Sequence, residues 1–548
     1  MMFFDVSLLF GYKGNKNTMG NQLFVAAAKS AGSLGLSSGS LYTLWIGIAI
    51  YLLFMLGIGM WSSSKVKGMN DFLVAGRRLP LWMATTALLA TWFGAGSSMG
   101  VAATVFSDGI GAVRADPFGA SFSLIIAGIF IVGMLRRLKC LTVTDIIERR
   151  YGKWAGVYAS AWMVPVYVGW LGAQLLGMGT ILHVLTGLDV LWGTLIGAAV
   201  VLIYTYAGGM WAVTLTDVVQ VSIIIIGLFL IVPGAVGEAG GWAQMIKNIP
   251  EADLSLWIPP AADAVKGHTA DDWAYYIGGW IIMGLGCTIG QDLVQRSLAS
   301  RNEKIAVSSA VMSGFFYMAV ALVPITIGFA ARFVFAKHGI TSEALGGDLE
   351  NQVLPRMAIL ILGQIHPVIL TVFLAALISA IMSSADSSLL AASSLICNNV
   401  IGSIWPRKSD KSLLRMTRTV TVLLTVISLV LAIKVESIYT LMINSWASQL
   451  VVVLIPVVTA LYVPNASKNC AWAAMAVSTA VWLAYAFIAG VAGSDMSFVE
   501  LMNSTEMERA LTCGAVYGFA AGIIAFICCY LGERVPHWVL DQPAEEDE

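Results

Sequence analysis

Residues 374–396 read LAALISAIMSSADSSLLAASSLI, a run as apolar as a membrane-crossing helix that nevertheless carries one carboxylate and seven hydroxyls. An ionised Asp near the centre of a bilayer costs roughly 2.5–3.5 kcal/mol on insertion scales, so such residues mark ion or substrate paths. Asp386 is therefore the first residue to explain. Ser383, Ser384, Ser387 and Ser388 flank it with neutral oxygens, the ligand type that a small hard cation such as sodium prefers over sulfur or imidazole. Serines in membrane helices also bond back to their own carbonyls and let helices pack closely. A whole cluster of them around a carboxylate points instead to a polar occupant.

The rest of the chain agrees with a membrane setting. Of 548 residues, 58% are hydrophobic and 11% charged, and the mean hydropathy is +0.81, values that soluble globular chains do not reach. This predicts an all-α polytopic membrane protein with the lipid bilayer as its surroundings. A net charge of -1, with no arginine-rich or zinc-finger pattern, argues against a nucleic-acid partner. The seven cysteines lack CxxC spacing and the five histidines are scattered, so neither a disulfide framework nor a metal centre other than a sodium site is expected. Residues 1–40 lack the pattern of a cleavable signal, with Met19 an alternative start, and read as an extramembrane N-terminal tail.

Runs of about twenty apolar residues, enough to cross a hydrocarbon core of ~30 Å, predict thirteen transmembrane helices. They lie near 41–61, 80–106, 118–135, 155–185, 190–207, 214–236, 273–291, 305–334, 359–398, 413–434, 438–462, 470–492 and 511–531. With the first helix starting outside, twenty Lys and Arg fall on inner loops, Arg77, Arg136, Arg150, Arg301 and Lys468 among them, against eight on outer loops. The positive-inside rule then sets the N-terminus out and the C-terminus in.

A five-helix unit repeated along such a chain returns upside down, and thirteen helices accommodate two units plus three flanking helices. Many secondary transporters bind substrate and ions where such repeats meet, in helices broken by glycine or proline. The second segment, LLATWFGAGSSMGVAATVF at 88–106, and the seventh, with GLGCTIG at 284–290, both have that interrupted character. Their GxGxxxG runs follow no strand and lie in membrane segments, which excludes a dinucleotide loop. Close helix packing through glycine is the other reading of both.

Taken in order, FLVAGRRLPLW (72–82), TVTDIIERRYG (142–152), YTYAGGMWAVTLTDVVQ (204–220), GQDLVQRSLASRNEKIA (290–306) and MSSADSSLLAASS (382–394) resemble the sodium:solute symporter family from about residue 41 to 465. The resemblance implies a leucine-transporter-type 5+5 inverted repeat: an extra helix at 41–61, a first repeat at 80–236, a second at 273–462, two C-terminal helices at 470–531 and an acidic cytoplasmic tail at 532–548. It implies a sodium site made of the carbonyls of Ala90, Phe93 and Ala380 and the hydroxyls of Ser383 and Ser384. Some members have a second cation site, which here would use Ser383, Asp386, Ser387 and Asp217, for a second cation or a proton. Members with that site described have Ser or Thr where this chain has Asp386. Asp217 also reads as a helix-terminal carboxylate favoured by the N-terminal dipole.

The segments ATWFGAG and MSSADSS resemble the high-affinity choline transporter branch, in which Trp92 and Trp170 would offer aromatic faces to a quaternary ammonium. The aromatic that the branch has beside its QR motif is replaced by Gly290. Gly96, Ser97, Gln174 and Gln291 complete the expected pocket, with Gln174 equally able to bridge two helices. The solute is left open between a choline-like cation, an amino acid, a small carboxylate, pantothenate and a sugar. The resemblance thus implies a sodium-coupled symporter importing a small organic solute by alternating access, with sodium as coupling ion and no other cofactor, in a bacterial cytoplasmic membrane. Proton coupling through Asp386, a solute sensor without transport and a channel are the rival readings. No HExxH, GxSxG or Ser/His constellation supports an enzyme.

Overall fold

The computed structural model describes residues 38–258, 267–340, 352–363, 365–405, 409–434, 446–491 and 504–533. Both expected tails lie outside the described residues, apart from Ser38–Ser40 and residues 532–533.

The described chain is helical almost throughout. The principal helices are α1 (Ser38–Ser62), α2 (Leu81–Trp92), α3 (Val101–Asp108), α4 (Ala120–Ala127), α5 (Thr144–Tyr151), α6 (Lys153–Thr186), α7 (Val190–Glu238), α8 (Ala270–Gly284), α9 (Gln291–Ala299), α10 (Glu303–Lys337), α11 (Val353–Leu362), α12 (Pro367–Ser394), α13 (Asp410–Lys434), α14 (Leu454–Tyr462), α15 (Lys468–Ala486) and α16 (Thr505–Gly532). Short polar side chains start several of them by accepting the first free amides. Asp189 accepts from Leu191 N, Asn302 from Ile305 N, Ser467 from Asn469 N and Ser504 from Met507 N. Thr269 and Asp272 cap each other reciprocally at the start of α8.

Ten helices among the described residues are long and apolar enough to cross a membrane, or eleven if the bent pair α2–α3 is one span. The expected count of thirteen is not itself confirmed by these lengths. The segments expected at 190–207 and 214–236 are the two arms of α7, which together span 49 residues and meet at a kink at Gly209. The segment expected at 438–462 is represented by the shorter apolar helix Trp446–Tyr462, residues 435–445 being outside the described set. Helix α7 turns at Gly209, whose φ of 51° and ψ of -140° suit only glycine. A Cβ there would stand 2.5 Å from the Phe72 carbonyl.

Both glycine-rich segments are broken helices. Leu81–Trp92 and Gly96–Asp108 meet at 61°, with Phe93 at φ -89°, ψ 82° and a wide π-type turn over Gly96–Gly100. Helix α8 ends at Gly284, a tight 3-10 turn spans Gly286–Ile289, and α9 starts again at Gln291.

Helix α12 is the axis of the molecule. The most apolar stretch of its span is 83% buried, against 28% for α1, so lipid-facing α1 is peripheral and the hydroxyl-rich helix is surrounded by protein. The loops sort onto two ends. Arg77 donates to the carbonyls of Lys139 and Cys140, Arg136 to those of Ser300 and Arg301, and Arg150 to those of Val463 and Ala466. The loops richest in basic residues therefore touch one another. Three loops expected on the opposite side are likewise joined, by Arg332–Asp253 at 2.5 Å, Lys337–Glu238 at 2.5 Å and Arg509–Asp272 at 2.6 Å.

Candidate ion and solute site

The break after α2 leaves carbonyls without helical partners, and side chains from α12 and neighbouring elements meet them. Ser383 Oγ lies 2.8 Å from the Ala90 carbonyl and 3.0 Å from that of Ala380. Ser384 Oγ donates to the Thr91 carbonyl at 2.7 Å. Phe93 stands at the break itself, fully buried with its ring edge-on to Tyr317. Ala90, Phe93, Ala380, Ser383 and Ser384 thus surround one junction of α2 and α12. Gly94 makes the approach close enough, since a Cβ there would lie 2.4 Å from Ser384 Oγ and 2.7 Å from Gln174 Oε1.

Deeper along α12, Asp386 accepts from Tyr204 OH at 2.6 Å and from Ser387 Oγ at 3.1 Å. Arg296 of α9 reaches the same place, its Nη2 donating to Ser387 Oγ and lying 3.9 Å from Asp217 Oδ2. Asp217, Arg296, Asp386 and Ser387 are all fully buried. Neither oxygen of Asp217 meets a hydrogen-bond donor among the described residues. A resident guanidinium therefore stands beside Asp217 and Ser387, two of the residues expected to hold a second cation.

Beside the two helix breaks lies a small cavity lined by Trp92, Trp170, Met283, Cys287, Asp292, Trp446 and Gln449. Trp170 and Trp446 meet edge to face at 5.8 Å. Asp292 is oriented by Trp92 Nε1 at 2.7 Å and Tyr167 OH at 2.9 Å. The buried Gln449 Oε1 has no donor within reach among the described residues. Gly290 borders the cavity, and a Cβ on it would press within 2.8 Å of Asp292 Oδ1.

Of the residues expected in the pocket, Trp92 and Trp170 line the cavity and Gly290 abuts it. The other four lie elsewhere. Gln174 Oε1 accepts from Ala95 N at 2.8 Å and so braces the break. Gln291 joins Val143 N at 2.8 Å to Ser394 Oγ at 3.0 Å. Gly96 opens the wide turn, and Ser97 points to Asp116, 2.6 Å away. Sequence reasoning missed Asp292, Trp446, Gln449, Arg296 and Asp116. The rule applied to Asp386, that an acid inside an apolar span needs a reason, would have found Asp292, two residues past Gly290.

These features describe a polytopic helical membrane protein with a small polar-edged cavity beside two broken helices. A model of the sodium:solute symporter family matches residues 72–478, and the chain belongs to that family. It is a sodium-coupled symporter of a small organic solute, not an enzyme. High-affinity choline transporter 1 of Caenorhabditis elegans is 26% identical over 427 residues, covering 72% of this chain and 69% of the relative. Its counterpart in Drosophila melanogaster is 27% identical over 443 residues, covering 78% and 67%. The fold is shared with a Na+-coupled sialic acid symporter in a substrate-bound outward-open state, at a TM-score of 0.72, 19% identity and coverage of 91% of this chain and 99% of that one.

Proposed function

We propose that the solute is a small organic cation of the choline type, a trimethylammonium compound, and that the coupling sodium is held by the carbonyls of Ala90, Phe93 and Ala380 with the hydroxyls of Ser383 and Ser384. The observation that carries the solute class is a cavity walled by three indoles and one carboxylate. Indole faces attract an alkylammonium by about 0.5–2 kcal/mol each, and Asp292 supplies the opposite charge. Gln449 Oε1 offers an acceptor for a hydroxyl on the same solute. A carboxylate solute would instead face Asp292, and a sugar would find few polar partners among the indoles. Choline transporters are among the relatives, in keeping with this choice.

Sodium at the α2–α12 junction would fix the broken helix against α12 and so order Trp92, one wall of the cavity. Solute and ion then favour the same conformation, the condition for coupling, because a ligand with equal affinity for two states shifts neither. At Asp217, Asp386 and Ser387, Arg296 takes the part of the counter-ion, and a second cation enters only if that guanidinium withdraws. The excess of Lys and Arg on one set of loops supports the N-terminus outside and the C-terminus inside.

The test is thermal stability of the purified protein in sodium against potassium at fixed ionic strength, with choline, amino acids, carboxylates, pantothenate and sugars added in turn. A solute at a hundred times its Kd stabilises by about 2.7 kcal/mol. Choline-type cations are expected to raise the melting temperature in sodium and not in potassium. Stabilisation by a sugar or carboxylate alone would overturn the solute class, and indifference to sodium would move the coupling to protons or the function to sensing.

A further inference from the structure

We infer that the thiols of Cys470 and Cys529 with the carboxylate of Glu533 form a zinc site that ties the start of α15 to the end of α16, apart from the ion and solute sites described above. The two sulfurs and one Glu533 oxygen lie within 4.8 Å of one another, with Cys470 Sγ 3.6 Å from Glu533 Oε2. Cys470 is fully buried, while Cys529 and Glu533 are half-buried, so an ion has a way in. The two thiols come from separate helices and no CxxC spacing marks them, which conceals the trio from a reading along the chain.

Zinc takes sulfur at about 2.3 Å and carboxylate oxygen at about 2.0–2.2 Å, in a tetrahedron whose edges between ligand atoms are then about 3.5–3.8 Å. The 3.6 Å between Cys470 and Glu533 is such an edge. The 4.8 Å bound on the other pairs asks for a shift of at most about 1.3 Å to reach it. Two thiolates and a carboxylate are a ligand set that holds zinc in preference to the hard sodium ion. The surroundings favour the anionic forms. Cys470 is the third residue of α15, just after the cap Ser467, and a helix N-terminus stabilises a thiolate. Ser467 Oγ donates to Cys470 Sγ at 3.4 Å. Asn469 Nδ2 donates to Glu533 Oε1 at 2.9 Å and so turns Oε2 to the sulfur, as outer partners orient ligating carboxylates. Three protein ligands leave a fourth position for water, as in open zinc sites.

The position explains what such an ion would do. Helices α15 and α16 lie side by side and both pack against the turn Gln449–Val453, whose first residue lines the solute cavity. The start of α15 also follows the loop whose Val463 and Ala466 carbonyls bind Arg150. Zinc would therefore staple together the two helices that back one wall of the cavity, at the end of the molecule where the basic loops meet.

The test uses the full-length protein in lipid nanodiscs, reduced with a phosphine, stripped of metal with a chelator, and titrated with zinc or with cobalt, whose thiolate charge-transfer absorption reports bound sulfur. Wild type is expected to bind one zinc per protein, to show cobalt–thiolate absorption, and to melt at a higher temperature with zinc in sodium and potassium alike, which separates this site from the sodium site. Cys470→Ser and Cys529→Ser are expected to lose the absorption. Glu533→Gln should weaken zinc by at least about tenfold, the least that loss of even an outer partner costs. Cys528→Ser, at the neighbouring exposed thiol, should match wild type. Where a serine variant fails to fold, Asn469→Ala, which keeps all three ligands, is expected to weaken zinc about tenfold. Absence of the absorption in reduced wild type, or zinc binding undiminished in both Cys470→Ser and Cys529→Ser, would overturn the site. A Cys470–Cys529 disulfide formed on oxidation, in a protein that binds no zinc when reduced, would make the thiols a redox pair and overturn it equally.

Discussion

Asp292→Asn is expected to weaken binding of a trimethylammonium solute by at least about 100-fold, since removing one partner of a buried charge pair costs about 3–5 kcal/mol. The asparagine keeps the size of the side chain, an oxygen for Trp92 Nε1 and an amide NH2 that can donate to Tyr167 OH, where the carboxylate now accepts from both at 2.7 and 2.9 Å. The loss should therefore follow charge and not shape. Competition binding with choline and with its uncharged isostere 3,3-dimethylbutanol makes the distinction, because the preference for the cation should collapse in the variant. Trp446→Ala removes one indole face and is expected to cost about tenfold, in line with a cation–π contact of 0.5–2 kcal/mol. Unchanged discrimination in Asp292→Asn would show that the carboxylate serves the fold and that the solute lies elsewhere.

Ser383→Ala and Ser384→Ala carry the second large effect. Each removes an oxygen that meets a freed carbonyl of α2, at 2.8 Å for Ala90 and 2.7 Å for Thr91. Expression should stay intact, because Ser to Ala in a close-packed helix leaves no large cavity. The sodium concentration for half-maximal uptake is expected to rise about tenfold in each, near the value of one charge-assisted hydrogen bond, and further in the double variant. Sodium activation curves of uptake read this directly. Curves that superimpose on wild type in both single variants would remove sodium from the α2–α12 junction.

Much of this was legible in the sequence, and for local reasons. The hydroxyls of α12 announce themselves because they interrupt an apolar run, and the two glycine clusters mark the breaks because little else lowers the cost of unwinding a helix in lipid. What could not be read was direction. Gln174 and Gln291 look like pocket residues in one dimension, yet each is spent on a main-chain amide of another helix, Ala95 and Val143. Trp446 and Gln449 belong to the helix Trp446–Tyr462, about 150 residues beyond α9, and only the packing brings them opposite Asp292. Arg296 was visible inside its motif, but its place beside Asp217 of α7 and Ser387 of α12 depends on how these helices pack. The two arms of α7 were legible, because glycine at 208–209 separates two apolar runs and the chain turns at Gly209.

The measurement that bears most directly on the whole account is uptake of labelled choline into proteoliposomes holding the purified protein, with an inward gradient of sodium or of potassium and the membrane potential clamped near zero. The account predicts accumulation above the outside concentration under the sodium gradient, collapse when the gradient is dissipated, and mere equilibration at best with potassium. Accumulation that ignores sodium, or saturable sodium-driven uptake of a neutral or anionic solute with choline excluded, would contradict it.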